Sequence, residues 1–229
     1  MKTLGKIALG LAVMLAPILS QAQTKSYNET GFTGVVFGVS GNLTVRQGNT
    51  YKVELSGEEE DLEKIEVEVK GDRLVISTKG NSWRRMRDIS GTVTLPNIEV
   101  LAVSGSGTLK TAGSINTGDL NLAVSGSGDM VITGLSADDC KIAISGSGSI
   151  VAAGECEDLV VAISGSGDLD AKDLKANDCE AVVSGSGAAK VHVNGALKAR
   201  ISGSGDVYYV GRPSDIDSKV SGSGAVRKL

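Results

Sequence analysis

The serine hydroxyls of a repeated tetrapeptide are the first groups in this chain whose type and spacing could support chemistry. Ser-Gly-Ser-Gly (SGSG) occurs seven times, and its copies begin at Ser104, Ser125, Ser145, Ser164, Ser184, Ser202 and Ser221. A serine acts as a nucleophile when an adjacent base activates it, and it ligates a metal ion when further oxygen donors converge. Because the equivalent copies occur without a partnered base, the pattern indicates structural serines.

The residue that follows each copy tests a calcium-binding interpretation. In chain order these residues are Thr108, Asp129, Ser149, Asp168, Ala188, Asp206 and Ala225. Calcium-binding β-rolls place an Asp in every short glycine-rich repeat, and the ion needs several converging oxygen ligands. Here an acid follows only alternate copies, so we expect no bound metal ion and no cofactor.

Other nucleophilic and acid–base side chains are few. His192 is the only histidine, and we expect it on an outward face without partners for general-base chemistry. Cys140 and Cys179 occupy equivalent apolar positions two repeats apart, and Cys156 lies between them. We expect small core hydrophobes without a structural disulfide, because two repeats span about 9.6 Å. Outward carboxylates leave a carbohydrate-active enzyme as an open alternative.

The elements that must position these residues follow from the spacing of the copies. Successive copies start 21, 20, 19, 20, 18 and 19 residues apart, a period typical of solenoids. Before each copy, apolar side chains occupy alternate positions, as in Leu120, Leu122 and Val124, which predicts a strand with one buried face. The sequence therefore predicts an all-β fold: a right-handed parallel β-helix with coils of strand, corner, strand and SGSG turn.

The glycines of the tetrapeptide have a steric explanation in such a stack. A corner that recurs at the same place in every coil brings side chains of neighbouring coils into collision, and glycine adopts positive φ angles at little cost. Small hydroxyls can satisfy polar groups of the corner backbone. We assign a structural role to these turn residues: Ser104, Gly105, Gly107, Gly126, Gly146, Gly165, Gly185, Gly203 and Gly222.

Residues 1–22 have the features of a secretory signal peptide. Lys2 and Lys6 form a positively charged region before the apolar run of residues 7–19, and Ser20 and Ala22 are small residues suited to cleavage before residue 23. The run is too short to span a bilayer comfortably, so no transmembrane segment is expected. We expect an exported protein, located in the periplasm, on the outer surface or outside the cell.

The mature chain, residues 23–229, is predicted to form a single domain. A strand-rich part without the 20-residue period, residues 23–100, continues into the regular coils of residues 101–229. Within the first part, residues 39–43 resemble a degraded copy of the turn, so the solenoid is expected to begin there. The formal net charge of the whole chain is −4, which argues against a nucleic-acid partner.

One basic segment stands out in this acidic chain and is a candidate binding loop. The only tryptophan stands among three arginines, and the loop residues are Trp83, Arg84, Arg85 and Arg87. An exposed Trp beside guanidinium groups can bind an anionic glycan, a lipid headgroup or a carboxylate-rich partner. The alternative is a hairpin loop whose Trp folds over the sheet while its arginines balance nearby acids.

An apolar column is the second candidate surface. Two residues before the SGSG copies, at outward positions, the chain carries Ala102, Ala123, Ala143, Ala162 and Val182, followed by Arg200 and Lys219. A flat apolar surface on a solenoid indicates that something packs there. Either a second copy packs on this column, which would make a homo-oligomer, or the N-terminal half of the chain covers it.

Taken together, these motifs resemble the GIN-domain family, also called the auto-transporter adhesin head domain, which is common in Bacteroidetes. The resemblance rests on the signal peptide, the strand-rich first part, the segment from Leu95 to Ile98 that leads into Val103 and the first SGSG copy, and the repeated SGSG-Asp turns. It implies an exported β-helical protein of the cell envelope with adhesion as its proposed activity, and it brings no catalytic motif.

From the residues and the resemblance we expect a non-enzymatic cell-envelope protein. It would act as an adhesin or binding module that presents β-helix faces to a glycan or another cell-surface ligand. A carbohydrate-active enzyme on a β-helix scaffold is the first alternative. A periplasmic regulatory or structural accessory is the second.

Overall fold

A computed structural model describes residues 23–80 and 86–229 of the chain. The N-terminal elements are β1 (Gln23–Tyr27), β2 (Gly34–Phe37), β3 (Gly41–Gln47), β4 (Lys52–Gly57), α1 (Glu59–Leu62), β5 (Ile65–Lys70), β6 (Arg73–Thr78) and β7 (Ile89–Leu95). The later elements are β8 (Val100–Gly105), β9 (Thr108–Thr111), β10 (Ile115–Gly126), β11 (Asp129–Gly146), β12 (Ser149–Gly165), β13 (Asp168–Gly185), β14 (Ala188–Val193), β15 (Ala196–Gly203), β16 (Asp206–Gly211), β17 (Asp215–Gly222) and β18 (Val226–Lys228). The described chain is therefore built almost entirely from strands.

Equivalent strands of successive coils pair in parallel and in register. The strands that end in SGSG turns form one ladder in the order β8, β10, β11, β12, β13, β15 and β17. The strands that follow the turns form a second ladder through β9, β11, β12, β13, β14, β16 and β18. The predicted solenoid of parallel coils about 20 residues long is confirmed, and its right-handed sense stays a prediction.

Alternation along each strand builds the core as the sequence predicts. Leu120, Leu122 and Val124 are each only 1% exposed, and the residues between them face outward. Stacked coils repeat this arrangement, so inward columns of aliphatic side chains run along the solenoid and form one cluster with the N-terminal strands. Burial of these columns supplies the main stabilising term of the fold.

Backbone contacts between coils explain the SGSG turn. The Gly126 carbonyl accepts hydrogen bonds from the N–H groups of Ser147 (2.9 Å) and Gly148 (3.0 Å) in the next coil. Gly146 has a φ of +114°, and a Cβ atom placed on it would lie 2.5 Å from the Gly126 carbonyl oxygen. This first glycine thus needs both a positive φ and an absent side chain, because a carbonyl group of the coil below occupies the space.

Stack order and chain order differ at the N-terminal end. Strands β2 and β3 pair in parallel with β8 and β9, so residues 39–43 belong to the first coil along the chain, although another coil lies outside it in the stack. On their other side, β2 and β3 pair in parallel with β6 and β7, which form a coil beneath them. The antiparallel strands β1, β4 and β5 complete this end, together with the single helical turn α1.

All three cysteines lie in or beside the core as free thiols. Cys140 and Cys179 continue an inward column through Leu159, as the sequence predicts. Burial raises the pKa of each thiol, Cys156 included, to about 12. These thiols therefore stay protonated and unreactive in the folded protein at neutral pH.

In the described residues, no helix has the length and apolar character needed to cross a membrane.

Replacement of Gly146 by Val should strongly destabilise the fold, because the new side chain meets the Gly126 carbonyl oxygen at a positive φ. We expect a loss of about 3 kcal/mol or more in the free energy of unfolding, seen as a lower thermal midpoint. Gly105→Val separates the two causes, since Gly105 also has a positive φ but a Cβ atom there would lie 3.8 Å from its nearest neighbour. Lys141→Ala, at an exposed position, should change stability by less than about 0.5 kcal/mol. Equal midpoints for Gly146→Val and Lys141→Ala would contradict the account of the turn.

The three thiols should resist alkylation in the native protein. With iodoacetamide at about pH 8, near the ordinary thiol pKa, we expect little modification of Cys140, Cys156 or Cys179 over hours, and complete modification after unfolding in guanidinium. Since the folded pKa values lie above the ordinary value of 9.0, the thiols favour the folded state fully below about pH 9 and progressively less toward about pH 12. Mass spectrometry measures the labelling, and rapid native labelling would show that these sites are open.

Candidate binding surface

An exposed column of small apolar side chains runs along the ladder of strands that end in SGSG turns. The members of this apolar strip pair in register from coil to coil: Ala102, Ala123, Ala143, Ala162 and Val182. Their neighbours along each strand point into the core, so the strip faces outward. Ala143, Ala162 and Val182 are exposed, and Val160 beside them is 41% exposed.

The N-terminal half lengthens this strip instead of lying across it. Val36 of β2 pairs with Ala102 on one side and with Val75 of β6 on the other. Both valines are half-buried and continue the outward column. With these two, the apolar strip has seven members in consecutive strands and a length of about 29 Å.

A row of hydroxyl groups runs beside the apolar strip. The first serine of each SGSG copy stands two residues after the strip position on the same face of the sheet, and each of these serines is exposed. Within the described residues, none of these first serines makes a side-chain hydrogen bond to the chain. Ser106 is the second serine of the first SGSG copy, and Ser40 stands at the equivalent place in the neighbouring N-terminal turn. The hydroxyl groups of these two serines form a hydrogen bond at 3.0 Å. The expectation that serine hydroxyls satisfy the corner backbone therefore finds no support in the contacts of the first-serine row.

Charged residues end the strip toward the C-terminus. Arg200 and Lys219 follow Val182 in the same column. The Arg200 guanidinium forms an ion pair with the Asp217 carboxylate and donates a further hydrogen bond to the Asp217 carbonyl oxygen at 3.2 Å. This pairing raises the pKa of Arg200 and lowers the pKa of the Asp217 carboxyl. The apolar strip thus ends at a cationic edge.

Most of the predicted binding loop lies outside the described residues, since Trp83, Arg84 and Arg85 belong to the undescribed segment 81–85. Arg87 is described, and its guanidinium forms an ion pair with Glu58. The Arg87 backbone N–H donates to Asp61 Oδ2 at 3.2 Å, and the buried Asp61 also accepts a hydrogen bond from Lys64 at 2.8 Å. These bonds lower the pKa of the Asp61 carboxyl and fix the end of the loop to α1.

The described residues on either side of segment 81–85 lie at one corner of the solenoid. Strands β6 and β7 continue the two ladders beneath β2 and β3. Thr78 and Met86 line one shallow depression with Ser40, Gly105 and Ser106 of the neighbouring turns. The described flanks of the predicted loop therefore lie beside the turn of the first SGSG coil.

Sequence reasoning missed a ladder of aspartates on the same sheet. Six residues before four SGSG copies, the residues that pair in register are Asp119, Asp139, Asp158 and Asp178. Three of them line a depression together with Glu180 and Lys198, which form an ion pair at 2.9 Å. An alignment of the SGSG copies already contains this column of aspartates, immediately before the five alternating strand residues.

The acids that follow alternate SGSG copies have a structural use. Asp168 Oδ1 accepts a hydrogen bond from the Ala188 backbone N–H at 3.0 Å, and Asp206 Oδ1 accepts one from Ala225 at 2.8 Å. Asp129 Oδ1 instead accepts the Ser149 hydroxyl at 2.6 Å. Each acid therefore ties its coil to the next. In the part of the chain that the structure describes, no group of three or more His, Cys, Asp or Glu side chains could hold a metal ion.

Comparison with solved structures shows where this fold occurs. A protein from Bacteroides fragilis described as a putative adhesin has a TM-score of 0.87 at 22% identity, over 91% of this chain and 97% of that one. A second, from Parabacteroides distasonis, is described as a putative lipid binding protein, with a TM-score of 0.73 at 20% identity, over 92% and 98% of the two chains. A further putative adhesin from Parabacteroides merdae gives 0.72 at 21% identity, over 92% and 97%. At these identities the likeness concerns the fold alone.

Family comparison gives the assignment that the structures leave open. No curated protein matches the chain. The family model described as "Putative auto-transporter adhesin, head GIN domain" matches residues 31–213, which include the N-terminal coils and all SGSG copies except the last. The resemblance seen in the sequence is thereby confirmed, and this chain belongs to the GIN-domain family that this model describes.

Proposed function

We propose that this protein is a non-enzymatic, exported binding module of the adhesin type that holds an extended ligand along the apolar strip. One observation carries the proposal: in the described residues, seven apolar positions stand in register on the outward face, three exposed and four half-buried, beside a row of serine hydroxyls without side-chain hydrogen bonds. Export rests on the signal features of residues 1–22, which lie outside the described residues.

The chemistry of the strip favours a glycan chain as the ligand. Sugar rings present apolar C–H faces and hydroxyl edges, which match an apolar strip bordered by hydroxyl groups. A strip of alanines offers little area per residue, and burial contributes only about 25 cal/mol per Å². Affinity must therefore come from many repeated contacts along the ligand, or from several modules acting together on one surface.

The predicted binding loop, with Trp83, Arg84 and Arg85, would add a charged and aromatic contact to this strip. Trp83 can stack on a sugar ring, and the guanidinium groups of Arg84 and Arg85 can pair with carboxylate or sulfate substituents. Arg87 has a different role in this proposal, because its side chain is already paired with Glu58. It anchors the loop end to α1 and leaves recognition to the preceding residues.

The aspartate ladder is the feature that favours the enzyme alternative. Glycosidases use two carboxylates about 5–10 Å apart, and Asp139, Asp158 and Asp178 line one depression. Two observations weigh against catalysis there. Asp178 Oδ1 already accepts a hydrogen bond from the Ala196 backbone N–H at 2.6 Å. The depression is also lined by the aliphatic residues Leu159 and Val160, whereas sugar-processing grooves usually have aromatic platforms. Release of reducing ends from a bound glycan, abolished by Asp158→Asn, would establish the enzyme and overturn the proposal.

Charges placed on the strip should strongly weaken ligand binding. For the double variant Ala143→Lys/Ala162→Lys we expect at least a roughly tenfold loss of binding to glycan arrays and whole cells, equal to about 1.4 kcal/mol. The matched control is Val131→Lys/Val151→Lys, which puts two lysines at paired outward positions of the same coils on the other ladder. Both variants should keep the wild-type thermal midpoint. Equal binding by the two variants would remove the strip from the proposal.

The loop is tested separately with Trp83→Ala/Arg85→Ala. If it adds a contact to the strip, this variant should bind more weakly than wild type but more strongly than the strip variant. Vesicles of phosphatidylglycerol serve as a second probe, because the strip ends at cationic residues and one structural neighbour is described as a putative lipid binding protein. Binding to vesicles but not to glycans would replace the glycan by a lipid. If the loop variant keeps its binding to glycans and to vesicles, the strip alone is the site.

A further inference from the structure

The C-terminal end of the solenoid presents two strands with unpaired edges. Among the described residues, β17 pairs with β15 alone and β18 pairs with β16 alone. All eight residues of β17 are exposed. The opposite end is different, because antiparallel strands and α1 lie over it. An unpaired strand edge is a template for another strand unless charge, a bulge or a covering segment blocks it.

Core columns also come to the surface at this end. Ile216 and Val220 pair in register with Leu197 and Ile201, which are 1% and 3% exposed. Yet Ile216 is 42% exposed and Val220 is 40% exposed, because no further coil stands beyond them in the described chain. Two branched aliphatic side chains at inward positions therefore border an open edge.

The sequence of β17 is complementary to itself when reversed. Its residues read Asp-Ile-Asp-Ser-Lys-Val-Ser-Gly from Asp215 to Gly222. If two copies of this strand run antiparallel with Ser218 opposite Ser218, Ile216 faces Val220 of the other copy on the inward side. On the outward side, Asp217 faces Lys219 of the other copy. Opposite residues of an antiparallel pair lie on the same face, so apolar meets apolar and acid meets base.

We propose that two copies of this chain pair head to head through β17, in an antiparallel junction centred on Ser218. Such a contact is isologous, so each copy supplies the same strand and the assembly closes as a dimer. Ile216 and Val220 become covered, and the two SGSG ladders join into one continuous sheet. The apolar strips of the two copies then lie on this joint sheet, separated by the charged residues Arg200, Asp217 and Lys219 of both copies.

A head-to-tail arrangement fits the edges less well. At the other end of the solenoid, β5 is the outermost strand of the SGSG ladder and is held antiparallel by β6. Its outward face carries Glu66, Glu68 and Lys70, and charged residues of this kind protect an edge from pairing unless opposite charges face them. Strand β17 also carries outward charges, but the two-fold junction sets Asp217 opposite Lys219 of the other copy and keeps Asp217 near Arg200 of its own chain.

The first test measures mass in solution, without any ligand. We expect the mature chain, residues 23–229, to show twice the mass of one chain by light scattering or sedimentation as concentration rises. Ile216→Lys/Val220→Lys should shift it fully to the monomer. These positions are already exposed, so the thermal midpoint of the monomer should hold. The control Val131→Lys/Val151→Lys should stay dimeric. A wild-type monomer at all concentrations, or loss of the dimer only in Ala143→Lys/Ala162→Lys, would overturn the proposal.

A charge exchange tests the register. Asp217→Lys and Lys219→Asp should each weaken the dimer at least tenfold, because each sets like charges opposite one another in the two copies. The double variant Asp217→Lys/Lys219→Asp restores opposite pairs and also leaves an acid in register with Arg200. We expect it to recover the dimer. Additive losses in the double variant would overturn this register.

Cross-linking tests the two-fold axis directly. In the proposed dimer the Cα atoms of the two Ser218 residues lie about 5 Å apart, within the range for a disulfide. The two Ser221 residues lie about 20 Å apart. Under mild oxidation Ser218→Cys should form a covalent dimer and Ser221→Cys should not, while the three natural cysteines stay buried. Equal cross-linking of both variants, or none in either, would overturn the axis at Ser218.

Discussion

The carbonyl oxygen of the first glycine in an SGSG turn occupies the space that a Cβ atom on the first glycine of the next coil would need. A Cβ atom at Gly146 or Gly165 would lie 2.5 Å from that oxygen. The same carbonyl accepts the N–H of the following coil's second serine, as Gly146 does from Ser166 at 2.8 Å. This backbone contact sets the coil spacing at the corner and keeps neighbouring strands in register. The aligned core columns, the apolar strip and the serine row all depend on it.

Sequence periodicity predicted the parts of the structure that repeat. Alternation before each SGSG copy identified the inward columns, and the strip from Ala102 to Val182 stands in register as the alignment implied. The coil made by β6 and β7 could not be predicted in this way. It lacks the turn motif, and its place beneath β2 and β3 depends on pairings between distant segments. Local pattern carries no information about such pairings.

The sequence likewise predicted some features of the candidate site and not others. Position in the repeat predicted which residues face outward, and the aspartate ladder was equally visible six residues before four of the copies. Arg87 illustrates what the sequence left open. It stood among loop arginines that either bind a ligand or balance nearby acids, and its side chain pairs with Glu58 while its N–H reaches the buried Asp61. Only the fold brings α1 beside the end of that loop.

The mismatch between chain order and stack order has a consequence for how the protein acquires its structure. The β2–β3 coil gains both neighbours only after residues 73–111 have been added to the chain. From β10 onward, each coil instead lies on one that precedes it by about 20 residues. The entropy cost of closing the short loop between the paired strands is therefore small. Many repeat arrays can nucleate anywhere along their length. Here the part of the chain up to residue 111 would form first and slowly, and the later coils would add to it one by one in the direction of synthesis.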